Sequence, residues 1–66
     1  MSELWTASDI ARALRVNPRT VIRWREREDF PAPAFETVSG HRAWEADAVR
    51  SWRREVVRER RARMAF

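Results

Sequence analysis

Arg19, Arg23 and Arg27 recur at intervals of four residues, the spacing that brings side chains onto one stripe of an α-helix. A guanidinium is a planar fork of N–H donors that matches phosphate oxygens or the O6/N7 edge of guanine, so such a stripe suits a DNA major groove. Asn17 and Thr20 add an amide and a hydroxyl at the start of the same segment. A second group, Ser39, His41 and Arg42, surrounds Gly40, the only glycine. It would offer a small residue, an imidazole and a guanidinium to a phosphate backbone or a minor groove. The alternative for His41 and Arg42 is ordinary exposed turn chemistry. Catalysis is harder to assemble. With one histidine and no cysteine, no nucleophile, base and orienting group come together on so small a scaffold, so an enzyme is not expected. A lone histidine without a second ligand is not a metal site, and no cofactor or small-molecule ligand is expected.

The arginine stripe needs a helix to carry it, and residues 9 to 24, DIARALRVNPRTVIRW, spell two short helices joined by a tight turn. Thr6 is the N-cap of the first, with Asp9 three residues on to favour its positive end. Trp5 and Ile10 fall at the N′ and N4 positions of a hydrophobic staple, and Ile10, Ala11 and Leu14 form one apolar face. The second helix repeats the device with Val16 at N′, Asn17 as cap, Pro18 at N1 and Val21 at N4. Val21 and Trp24 continue its buried face, and Ile22 flanks it. This is the layout of a helix-turn-helix, with Ala11 as the small residue where the helices approach. Glycine is common in the turn of this motif, and the chain has Arg15 there. The turn must therefore avoid positive φ or tolerate it at some cost.

Pro31 and Pro33 remove donors and bias their predecessors to extended backbone, so the second helix ends by about Asp29 or Phe30. Phe35, Thr37 and Val38, then Ser39-Gly40, then His41 to Trp44 read as a two-stranded hairpin, which after a recognition helix is a wing. A third helix follows, with Glu45-Ala46-Asp47 as an acidic first turn and Val49, Trp52 and Val56 as its buried stripe. Trp24, Trp44 and Trp52 fall on apolar faces and read as core, not as stacking platforms for single-stranded bases, and Trp5 reads as the core's edge. The expected fold is mainly α with a small β-hairpin: a winged helix-turn-helix of three helices and a two-stranded wing over residues 1–57. Residues 58–66, RERRARMAF, in which the third helix's apolar stripe does not continue, form a basic C-terminal helix extension or tail. This segment is either solvated or docked on DNA or a neighbouring protomer, through Val57, Met64 and Phe66.

Charge supports a polyanionic partner. The chain of 66 residues carries a formal net charge of +4, and all of its 14 basic residues are arginine. That bias reflects GC-rich coding as readily as selection for the guanidinium fork. The arginines concentrate in residues 12–27 and 50–66, on either side of a nearly neutral middle, as a polyanion footprint would, although solvated helix faces give the same pattern. A chain this short makes one small domain, which buries only about 60% of its unfolded surface. No secretory leader pattern and no apolar run of membrane-spanning length is present, so a soluble, cytoplasmic protein without membrane contact is expected.

The run TVIRW followed by FPAP, then SGHRAW and VRSW, resembles the small winged-helix proteins that comprise phage and mobile-element excisionases and AlpA-type regulators, relatives of the MerR DNA-binding domain. The resemblance covers residues 4 to about 53, and its most specific element is Trp24, Phe30, Pro31 and Pro33 ahead of a wing. It implies a second helix in the major groove of double-stranded DNA, with Arg19, Thr20 and Arg23 facing bases or phosphates, and Arg42 on a wing at the neighbouring minor groove. Position 22, which can be polar in relatives, is Ile22 here. Family members of this size bind adjacent sites as several copies, bend DNA and steer a site-specific integrase toward excision in a bacterial host cell. The alternative role is a small transcriptional regulator on promoter DNA. A protein-interaction adaptor whose basic helix binds acidic partners is the reading from a different class.

Overall fold

The computed structural model describes residues 3–64 and contains six elements: β1 (Leu4–Trp5), α1 (Ala7–Leu14), α2 (Pro18–Arg25), β2 (Phe35–Glu36), β3 (Arg42–Glu45) and α3 (Ala46–Met64). Both caps of the helical pair form as their residues dictate. Thr6 Oγ1 accepts from Asp9 N at 3.3 Å while Asp9 Oδ2 accepts from Thr6 N at 3.0 Å, a complete capping box. Asn17 Oδ1 accepts from Arg19 N at 2.8 Å, and Pro18 follows where its missing N–H is not needed.

The turn between them settles the question of Arg15. This residue adopts the left-handed conformation (φ 54°, ψ 49°), with Arg15 N bonded to Arg12 O and Val16 N to Ala11 O. That pair of bonds is the Schellman finish of a helix, which normally takes glycine at this position because a Cβ there is strained. Both α1 and the turn are thus complete at a steric cost. Arg15→Gly relieves it, and we expect a gain of roughly 1 kcal/mol, or about 4–8 °C in the thermal midpoint of a domain this size, read by circular dichroism melting.

The second helix stops at Arg25, four or five residues before the prolines require it to. Glu26 and Arg27 close the last turn onto Arg23 O and Trp24 O, and Phe30 N then bonds Arg27 O, folding the chain back so that the Phe30 ring enters the core. Burial of Phe30, which helical continuation would not deliver, decides the boundary.

The wing forms as a hairpin, but its sheet has a third strand. β3 pairs antiparallel with β2 (Phe35 opposite Ala43, Glu36 opposite Arg42) and on its other edge with β1 (Leu4 opposite Glu45, Trp5 opposite Trp44). Ala46 N→Glu3 O at 2.7 Å carries the second pairing into the first residue of α3. The segment before α1, expected only to supply a staple, therefore also ties the chain's start to the helix that ends it.

The core lies between the helical pair, the sheet and the first half of α3. Ile10, Val21 and Val49 are its fully buried centre, one from each helix. Four aromatic rings close it edge-to-face: Phe30 lies 5.7 Å from Trp44 and 4.9 Å from Trp52, and Trp52 lies 5.2 Å from Trp24. Trp44 Nε1 donates to Pro31 O at 3.0 Å, so the proline segment is anchored as well as broken. Trp44 and Trp52 are buried core, as their spacing required; Trp5, expected at the core's edge, is buried as well, whereas Trp24, expected in the core, is half-buried. No helix among the described residues is long and apolar enough to cross a membrane.

Candidate nucleic-acid interface

An α-helix turns about 100° per residue. On α2, Val21 and Trp24 face the core, which turns Arg19, Ile22 and Arg23 to the opposite, exposed side. Neither the Arg19 nor the Arg23 guanidinium has a hydrogen bond, ion pair or ring partner among the described residues. Two fixed positive charges thus stand on one helix face with their donors unspent. Thr20 is half-buried at the edge of this face. Asn17 also lies there, but its oxygen is committed to the cap.

The two helix N-termini differ in what they leave for an anion. At α1 the carboxylate of Asp9 occupies the positive end and closes the capping box. At α2 the first turn holds no acidic residue, so its partial positive charge is not neutralised and adds to that of Arg19. A phosphate is favoured at the second and not at the first.

Arg27 departs from the expected stripe. It lies two residues beyond the end of α2, where Nε and Nη2 grip Asp29 Oδ1 and Oδ2 at 2.9 and 3.0 Å and its guanidinium lies 5.7 Å from the centre of the Trp52 ring. Arg27 is thereby held in the loop that brings Phe30 into the core, and the stripe shortens to Arg19 and Arg23.

The wing tip is built from its own hydrogen bonds. Thr37 N donates to His41 O at 2.8 Å, Gly40 N to Thr37 O at 3.0 Å, and Thr37 Oγ1 accepts from His41 N at 3.0 Å. Gly40 takes φ 89°, the positive value its position required. The Ser39 hydroxyl shares a 3.1 Å hydrogen bond with that of Thr37, so it is engaged within the tip. Arg42 pairs across the strands with Glu36, Nε to Oε1 at 3.0 Å, which fixes its direction and offsets part of its charge. His41 is exposed, as is Val38, which stands fully clear of the fold at the turn.

α3 bears a second basic surface. Arg53, Arg54, Arg58 and Arg61 surround a shallow depression over Val57, and Arg50 continues the band toward Leu14 of α1. Arg50 and Arg53 lie over the Trp5 and Trp24 rings at 4.7 and 5.1 Å, so their stems cover core edges while their charges remain outside. Glu55 and Glu59 face a different direction, beside Asp29. The helix runs on past Val56, its last residue packed on the core, to Met64. Val57 is half-buried; the Met64 side chain and Phe66 lie outside the described residues.

Two carboxyls report on this framework. Asp9 is held below the ordinary carboxylate range by the backbone N–H and hydroxyl of Thr6, and Asp29 by the Arg27 guanidinium. The Trp52 indole N–H is buried without a hydrogen-bond partner among the described residues. Because both folded-state values lie below the unfolded ones, the stability they supply is complete above about pH 4 and is lost as pH falls through the depressed values. Urea midpoints should be flat from pH 7 to 5 and drop below pH 4, with a smaller drop in Asp29→Asn.

Residues 1–31 match the family model of a homeodomain-like domain. The matched stretch contains all of α1 and α2 and ends before the wing, so the similarity falls on the helix-turn-helix itself, a motif of DNA-binding domains. No curated protein matches the chain.

Proposed function

We propose that this chain is a sequence-specific double-stranded DNA-binding protein that inserts α2 into a major groove, and that it serves as an excisionase. The observation that carries the DNA reading is the pair of unpartnered guanidiniums, Arg19 and Arg23, on the exposed face of a helix whose first turn holds no acidic residue. The wing follows on the same scaffold, with His41 and Arg42 directed to a neighbouring minor groove and the Ser39 turn close to the phosphates. Asn17 and Thr20 add donors at the helix start. Arg27 serves the fold in this account.

The excisionase role is supported by the resemblance of the TVIRW, FPAP and SGHRAW runs and by the size of the module. A single domain of this kind buries only about 600–1,000 Å² on DNA, so tight binding calls for neighbouring copies on adjacent sites. The basic band of α3 and its extension, with Val57, Met64 and Phe66, is the surface assigned to that contact. Deleting residues 58–66 should leave binding to a single site intact while reducing the Hill slope on a duplex with several sites; unchanged cooperativity would remove the extension from the account.

Footprinting on the DNA surrounding the gene tests the role. Clustered direct repeats at an attachment junction, bending that grows with occupancy, and altered integrase products support excision. Sites at a promoter, with changed transcription and no effect on the integrase, would instead make the protein a transcriptional regulator. No sequence-dependent shift on any duplex would favour the adaptor reading.

A further inference from the structure

Ile22 is 47% exposed, and among the exposed large hydrophobic residues of the described chain it alone sits on a helix. The fold does not use it there. Val21 and Trp24 supply the inward face of α2, while a β-branched residue at an outward position of a short helix gains nothing in propensity. Its neighbours are Arg19, one turn earlier on the same face, and Arg23, the next residue. An apolar branch thus stands beside Arg19 on the exposed side of α2, flanking the pair of unpaired guanidinium forks.

The major groove offers one apolar group, the C5-methyl of thymine, beside hydrogen-bonding edges that guanidiniums read. We infer that Ile22 is a specificity-determining residue that packs on a thymine methyl, next to the base pairs or phosphates engaged by Arg19 and Arg23. This rests on the DNA-binding reading and adds the base class that this position selects. The contact desolvates a side chain that is half exposed in the free protein. Its preference for thymine over uracil follows from the burial of a single methyl, about fourfold in affinity.

The test uses a duplex that the protein selects from a random-sequence library, with each thymine replaced singly by uracil, which removes only the methyl. Wild type should lose about fourfold at one or two thymines adjacent to a protected guanine or phosphate. Ile22→Ala, an exposed substitution on a well-capped helix, should bind more weakly and lose this sensitivity at the same thymines. Wild-type binding that is indifferent to every replacement, or an uracil penalty that persists undiminished in Ile22→Ala, would overturn the inference while leaving specific binding in place. Failure to select any sequence would overturn the DNA reading itself, and this inference with it.

Discussion

Trp44→Ala is expected to leave the domain unfolded at 25 °C. The residue is 2% exposed, stacks edge-to-face on Phe30, pairs with Trp5 across the β1–β3 ladder and holds the Pro31 carbonyl. Truncating a buried tryptophan costs about 3–5 kcal/mol, more when a partly buried carbonyl is left without its donor. A single core in a chain below about 70 residues rarely supplies more than 3–5 kcal/mol in total. The loss therefore equals the whole stability. Far-UV circular dichroism and the dispersion of amide resonances would show it; a cooperative melt near the wild-type midpoint would mean that the four-ring cluster is not what holds the wing and α3 to the helical pair.

Arg23→Ala is expected to leave the fold untouched and to cost roughly 1–3 kcal/mol in DNA binding, about 5- to 150-fold. Arg23 is exposed and has no partner among the described residues, so its removal exposes no buried charge and opens no cavity. The pattern of the loss separates two roles. A loss confined to one base position, with relaxed preference there, makes Arg23 a base reader. An equal loss on all sequences makes it a phosphate clamp, and the log–log salt slope then falls by about 0.9. Arg27→Ala should behave differently: it breaks the bidentate grip on Asp29 and should lower thermal stability more than DNA affinity.

How much of this was legible in the sequence depends on how local the signals are. The two caps, the staple positions and the proline break act over three to five residues. Thr6, Asn17, Pro18, Pro31 and Gly40 therefore place the helix starts and the wing turn without reference to the rest of the fold. The apolar periodicity of α1, α2 and α3 likewise identified the buried faces and most of the tryptophan core. Arg15 was visible as an anomaly, but only the backbone shows that the strained conformation is accepted.

The features that escaped are those settled by distant partners. β1 is two residues long and exists because Trp5 finds Trp44 some forty residues away. Arg27 looked like the third member of a helical stripe because spacing alone does not reveal where α2 stops. That boundary is set by Phe30 docking into the core and by Asp29 capturing the guanidinium. Arg42 stands in the sequence as a wing guanidinium facing DNA, and its pairing with Glu36 depends on strand register. The outward placement of Ile22 and the basic band of α3 were within reach of helical spacing, yet each required knowing which neighbours already filled the inward face.

The central claim is that α2 reads a duplex through Arg19 and Arg23. The most direct measurement compares, at about 0.15 M salt, the affinity of wild type and of the Arg19→Ala/Arg23→Ala variant for a selected duplex and for a scrambled duplex of equal length. The account predicts that wild type prefers its selected duplex by at least about 10³-fold and that the folded variant loses most of that preference. Equal affinity of wild type for both duplexes, or full discrimination retained by the variant, would contradict it.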